Sequence, residues 1–192
     1  MSNALILSRK FSQLSRTMYH GTSSKHYGSL TKGVDLSTCK KSTDFGKGFY
    51  LTTSFRQASK HAQNRTFRDD EPIVFEYEIN LKIMRTYNPL FFPQMNRDWA
   101  KFIYHNRSII NFRTHNYDYV FGGVADGLIE DLINEMDDLP ISDAIIDYFY
   151  NEIAKYSTYD QLSIHKQEIF DKEIVRLNNV FKAFQKGKEY TE

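Results

Sequence analysis

Residues 72–79, Pro-Ile-Val-Phe-Glu-Tyr-Glu-Ile, alternate apolar and charged side chains from Val74 onward. Strict alternation marks a β-strand with one dry and one wet face, and the dry face has to be covered by another layer of the same domain. No internal repeat or low-complexity stretch accompanies it, so the chain reads as a compact α/β or α+β domain. Thr17-Met18-Tyr19-His20 reads as a short strand ended by Gly21. The stretch to about Lys41 is rich in Ser, Thr, Gly and Lys and reads as a long loop. Gly46 to Thr53 reads as a glycine-entered strand, and Thr53 or Ser54 can cap a helix from Arg56 to Asn64. Asn96 caps a second helix through Trp99, Phe102, Ile103 and Tyr104. Tyr117 to Val124 forms another strand, with Asp126 in the following turn. The faces Ile129, Leu132, Ile133, Met136 and Ile145, Ile146, Phe149, Ile153, Ala154 predict two helices separated by Pro140, the second opened by Ser142 or Asp143. Gln161 to His165 alternates as the last strand. The spacing of Ile169, Phe170, Ile174, Leu177, Phe181 and Phe184 predicts a closing amphipathic helix, leaving strands clustered at both ends.

At 192 residues the chain suits one domain, with residues 1–16 as an N-terminal extension and 17–188 as the folded unit. The 25 basic and 24 acidic side chains leave a net charge of +1, which excludes broad electrostatic capture of nucleic acid and confines any such contact to a local patch. Lone Cys39 excludes an internal disulfide framework and a cysteine-rich zinc site, and points to a cytoplasmic protein. The apolar run Ala4 to Leu7 is too short for a signal-peptide core, and no segment has the apolar length to cross a bilayer, so membrane insertion is not expected. The 13 Tyr, 15 Phe and 1 Trp supply core volume first and flat ligand walls second.

Several signatures fail. Gly46-x-Gly48 lacks the third glycine of a dinucleotide fingerprint, Gly28 to Gly33 is not followed by the Lys-Ser/Thr of a P-loop, and no Gly-x-Ser-x-Gly elbow occurs. His20, His26 and Cys39 match no standard zinc spacing, so no metal is expected. What remains is a set of strand-borne polar groups. His20 stands at a His-Gly-Thr step, Tyr50 lies in a strand entered by two glycines, and Gln161 opens the last strand. Gly21 lets a ligand approach the backbone, while Gly46 and Gly48 permit positive φ or tight packing beneath a ring. Tyr50 can face a planar heterocycle, and His20 and Gln161 can hydrogen-bond sugar hydroxyls without charge. Such a cleft suits a nucleotide-like ligand.

His20-Gly21-Thr22, the block Asp44-Phe45-Gly46-Lys47-Gly48-Phe49-Tyr50-Leu51-Thr52 followed by a helix, and a polar residue opening a late strand resemble the ADP-ribosyltransferase superfamily. The resemblance is to its His-Tyr-Glu branch, which contains diphtheria toxin and the poly(ADP-ribose) polymerases. Together with 117–126 and 161–165, the block is similar to a mainly bacterial family of formerly unknown function placed in that superfamily, over roughly residues 18–178. The resemblance implies an α+β fold with a split, mixed β-sheet core flanked by helices, and NAD as co-substrate. It implies that His20 holds a ribose hydroxyl, that the Gly21 backbone holds the nicotinamide carboxamide, and that Tyr50 stacks on the nicotinamide. Thr22, Gly48, Phe49 and Leu51 complete the NAD-binding set, with Phe49 beneath Tyr50 and Tyr19 beside His20.

The sequence also departs from the branch. Gln161 stands where chain-elongating enzymes carry a glutamate, keeping the hydrogen bond and losing the charge, a loss on the order of 1–2 kcal/mol of transition-state stabilisation. Chain elongation is therefore not expected. His61 replaces the second stacking tyrosine and Ala58 replaces a serine that bonds the carboxamide. The resemblance implies transfer of a single ADP-ribose to a protein or nucleic-acid target, in a toxin or effector opposed by an antitoxin or immunity partner, in the cytoplasm or delivered to a target cell's cytosol. Two other functions stand beside it: a catalytically weak or inactive module binding NAD or ADP-ribose, and a nucleic-acid enzyme, either an ADP-ribosyltransferase acting on a base or phosphate end or a ribonuclease using Arg107, Arg113 and His115. Trp99, Tyr104, His105 and Arg107 read either as a lid or, more simply, as a helix packed on the sheet. Asp160 is expected to face away from Gln161 into solvent.

Overall fold

The computed structural model describes residues 14–67, 69–125, 129–154 and 159–191. Among these residues seven strands run in chain order as β1 (Thr17–Ser23), β2 (Phe49–Leu51), β3 (Pro72–Ile79), β4 (Pro89–Phe91), β5 (Tyr119–Gly123), β6 (Asp160–Ile164) and β7 (Val175–Lys182). The four longer described helices are α1 (Phe55–Arg65), α2 (Arg97–Arg107), α3 (Ile129–Met136) and α4 (Asp143–Ile153). The fold is α+β, built on two sheets. A three-stranded antiparallel sheet has the order β1-β3-β7, and a four-stranded mixed sheet has the order β2-β6-β5-β4, with β4 parallel to β5.

Side-chain alternation sorts these strands into layers. Met18, Phe75 and Tyr77 of the first sheet meet Phe49, Leu51, Phe121, Leu162 and Ile164 of the second in one buried cluster. The far side of the four-stranded sheet carries α2, α3 and α4 through Trp99, Ile103, Tyr104, Ile133, Ile146 and Phe149. Burying a side chain of this size contributes about 1.5–3 kcal/mol, which is why these helices stay on the sheet. The far side of the three-stranded sheet is covered only in part. Helix α1 lays Ala58 and Ala62 over Tyr19 and Val74, while Glu76 and Glu78 on the same face of β3 pair with Asn178 and Arg176 at the surface. The dry and wet faces of residues 72–79 thus have their expected places.

Side-chain caps open the long helices as the sequence implies. Ser54 accepts from Gln57 N, Asn96 from Trp99 N and Ser142 from Ile145 N. Leu14 is buried in the inter-sheet core and Arg16 O accepts from Ile79 N, so the extension is tied to the domain at its end. Its residues 1–13, and the turn expected at Asp126, lie outside the described residues.

The closing helix does not form. Helix is confined to Glu168–Asp171, Glu173 takes φ 53°, and 175–182 is β7, paired along β3. The physical reason is a bulge. The β3/β7 register shifts between Glu76 and Tyr77, so Leu177 turns into the inter-sheet core while Phe181, paired with Val74, buries on the opposite face against Phe55, and two dry faces of one strand imitate a single helical stripe. Phe184, expected in the core, is 52% exposed at φ 60°. Strand β1 also runs on past Gly21 to Ser23.

Candidate functional site

The two sheets touch where β1 and β2 meet. Tyr19 and Thr52 exchange both backbone bonds, Tyr19 N to Thr52 O at 2.8 Å and Thr52 N to Tyr19 O at 2.9 Å. That pair is an isolated bridge, so the strands fork on either side of it. Main-chain groups alternate edges along a strand, which turns the N–H and C=O of Gly21 to the same edge as those of Tyr19, away from β3 and toward the fork. Inside the fork His20 donates from Nδ1 to Tyr50 O at 2.8 Å. A carbonyl oxygen only accepts, so the ring proton sits on Nδ1 and Nε2 is left as an acceptor. Burial holds the imidazole pKa down to about 4; the Tyr50 carbonyl pulls it upward, and the charges of His61 and His26 depress it further. His20 is therefore neutral at neutral pH.

The structure reassigns several neighbours. Gly21 is glycine because α1 lies directly against it: a Cβ there would sit 1.8 Å from Ala58 O. The close approach foreseen for a ligand is made by the helix, and only the main-chain edge remains for binding. Thr22 is buried and paired with Ile73. Phe49 and Leu51 turn into the inter-sheet core, so Phe49 lies on the opposite face from Tyr50 and instead stacks on His20, with centroids 4.5 Å apart and planes at 29°. Tyr19 faces the other way and meets Phe55 edge-on. Gly48 has no room for a side chain, a Cβ falling 2.4 Å from Ser163 Oγ and 2.8 Å from His165 Nδ1.

Tyr50 and Gln161 share the helix-facing side of the second sheet, since Tyr50 pairs with Ser163 and Gln161 is two residues along. Both grip residues 43–46. The Tyr50 hydroxyl accepts from Phe45 N at 2.9 Å and lies 2.9 Å from Thr43 Oγ1 and 2.8 Å from Gly46 O, and burial pushes the phenol pKa up. Gln161 Nε2 donates to Asp44 Oδ2 at 2.7 Å and to Gly123 O at 3.3 Å. Asp44 Oδ1 accepts from Arg107 Nε and Nη2 at 2.8 and 2.6 Å, and Oδ2 also accepts from Ala125 N at 3.1 Å. This dry ion pair joins α2, the 43–46 turn, β6 and the end of β5 into one polar knot.

Other residues fall into plainer roles. His61 is exposed on α1, its pKa lowered by its surroundings and by Arg65 and Lys40. Trp99, Tyr104 and His105 are buried, so that helix packs on the sheet, with Trp99 Nε1 donating to Gly123 O at 3.0 Å. Arg107 serves Asp44, His115 lies 2.9 Å through Nε2 from Phe45 O, and the main-chain N–H of Arg113 bonds His105 O. Asp160 points away from Gln161, as alternation requires, yet it is not simply solvated: it accepts from Thr53 N at 3.0 Å and Thr53 Oγ1 at 2.6 Å. Among the described residues no group of three or more His, Cys, Asp or Glu is placed to hold a metal ion, and no helix is long and apolar enough to cross a membrane. Asp44 is the residue that sequence reasoning passes over. Its partners Arg107 and Gln161 lie 63 and 117 positions away, and no local pattern reports such pairing.

No curated protein and no solved structure matches the chain. A family model does match it over residues 17–174, from the first residue of β1 to just short of β7, taking in both the fork and the Asp44 knot. The chain belongs to the family described as "Protein of unknown function (DUF3990)".

Proposed function

We propose that the chain is an NAD-dependent mono-ADP-ribosyltransferase whose site is the fork between β1 and β2. The observation that carries this function is the 2.8 Å bond from His20 Nδ1 to Tyr50 O, which joins the two motif blocks and leaves a neutral imidazole with Nε2 as an acceptor for a ribose hydroxyl. The free main-chain edge of Gly21 suits a carboxamide, which needs one donor and one acceptor. Gln161 offers Oε1 to the hydroxyl of the nicotinamide ribose, and His61 supplies a second ring. In the reaction the bond between nicotinamide and ribose C1′ breaks, the target nucleophile bonds to C1′, and its proton passes to solvent. The nucleophile belongs to a protein or a nucleic acid, and the biological setting suited to such an enzyme is that of a toxin or effector with an antitoxin or immunity partner.

One observation favours a second function, an NAD- or ADP-ribose-binding module. The Tyr50 hydroxyl and the Asp44 carboxylate are both engaged within the protein, so no free carboxylate faces the fork from these residues. Nicotinamide release from NAD, with intact-mass analysis for one added ADP-ribosyl unit on candidate targets, separates the two. Transfer predicts release by the parent, with His20→Ala and Gln161→Ala each lowering it at least about tenfold. Full turnover in both variants removes the site assignment, and binding of NAD without release leaves the binding module.

A further inference from the structure

We propose that Asp44 is the positioning residue for Gln161: its carboxylate sets the side-chain amide with Oε1 as the free group, and its charge is the reason an amide rather than a carboxylate occupies position 161. The consequence for transfer rests on the NAD-dependent function above; the positioning itself does not. Gln161 Nε2 lies 2.7 Å from Asp44 Oδ2 and 3.3 Å from Gly123 O. Both neighbours only accept. Turning the amide over would set Oε1 against two acceptors and forfeit both bonds, so one orientation is enforced by donor and acceptor identity alone. Oε1 then has no partner among the described residues, and it can only accept, which selects a hydroxyl or N–H donor on the ligand.

Asp44 cannot turn away to relieve a second negative charge. Its Oδ1 is held by both Arg107 bonds and its Oδ2 by Ala125 N, with the Asp44 side chain 5% exposed and Arg107 17%. Arg107 from α2 and the Tyr50 phenol from β2 face this pair, while β5 presents Gly122 and Gly123 opposite β6. One guanidinium balances one carboxylate. A glutamate at position 161 would place a second carboxylate at hydrogen-bond distance from the first, and two such groups share a proton instead of both ionising. The negative charge of the His-Tyr-Glu pattern is therefore displaced here by one hydrogen bond, onto Asp44, from which it polarises the Gln161 amide in a low-dielectric setting.

Thermal melts of the full chain at about pH 5 and about pH 8, paired with nicotinamide release, test this in the parent, Gln161→Glu, Asp44→Asn and the double variant. Relative to the parent at each pH, Gln161→Glu is expected to lose at least about 5 °C of Tm at the higher pH and much less at the lower one. The double variant exchanges the two groups, so that the introduced amide can donate to the introduced carboxylate, and is expected to recover more than half of that loss. Nicotinamide release should fall at least about tenfold in Asp44→Asn and rise again in the double variant. If Gln161→Glu fails to fold at the higher pH, its recovery at the lower one supports the proposal. Equal melting of Gln161→Glu and the parent at both pH values overturns it, as does a double variant no more stable than Gln161→Glu alone. If the melting pattern holds while the parent releases no nicotinamide, the NAD-dependent function falls and the Asp44 positioning stands.

Discussion

The fork at His20 and the knot at Asp44 hold their side chains by opposite means. In the fork, a neutral imidazole is fixed by one bond to a backbone carbonyl and by stacking on Phe49, and the groups it leaves over are an imidazole acceptor and a main-chain edge. In the knot, a dry ion pair and an amide satisfy one another across three elements, leaving one amide oxygen. The fork depends on shape, because glycine lets α1 lie against β1. The knot depends on charge balance, because removing one member strands another. The fork thus presents neutral groups, while the Asp44 carboxylate of the knot is engaged within the protein.

The largest expected effect breaks the knot. Asp44→Ala leaves the Arg107 guanidinium, Gln161 Nε2 and Ala125 N without their acceptor, and should cost about 3–5 kcal/mol, read as a lower urea midpoint. Next, Gly21→Ala breaks the fork through shape. Its Cβ meets helix backbone rather than a movable side chain, so α1 must shift, at a cost of about 1–3 kcal/mol or more. A drop after Gly21→Ala matching that of Asp44→Ala would mean that α1 and β1 cannot separate at all, while a negligible drop would mean that the helix rides freely over the strand.

The smallest effect titrates the fork. The folded pKa of His20 lies near 4 against an ordinary 6.5, so the unfolded chain binds a proton first as pH falls. The stability associated with the neutral ring is complete above about pH 6.5 and is lost as pH drops toward about 4, on the order of 2 kcal/mol for this one group. His165, held by Lys47 O at 2.9 Å and depressed to about 4 chiefly by burial, adds loss in the same direction. His20→Asn keeps a donor for Tyr50 O without titrating and should flatten the Tm against pH profile in that window; an unchanged slope would place the titration elsewhere.

Much of the architecture is legible in local pattern. The alternation of 72–79, the caps Ser54, Asn96 and Ser142, and the α3 and α4 faces each follow from neighbours a few residues apart. The closing helix is a false expectation because a bulge in β7 opposite Glu76 and Tyr77 sends Leu177 and Phe181 to opposite faces of the sheet, and only the partner strand discloses the bulge. Phe49 does not lie beneath Tyr50, since successive strand residues face opposite ways, and the rings it meets are those of His20, Tyr77 and Phe170.

By itself the sequence determined a domain that mixes helices and strands, the positions of the polar residues at 20, 50 and 161, and their order along the chain, because periodicity, capping and motif spacing are properties of adjacent residues. Only the tertiary structure decided that Gly21 is a packing glycine with a free main-chain edge, that His20 carries its proton on Nδ1, and that Gln161 answers to Asp44. Each of these depends on a contact between residues 30 or more positions apart. Donor and acceptor identity, exclusion of a Cβ and the pairing of buried charge act through space, and the chain must be folded before they can choose between two readings of the same residue.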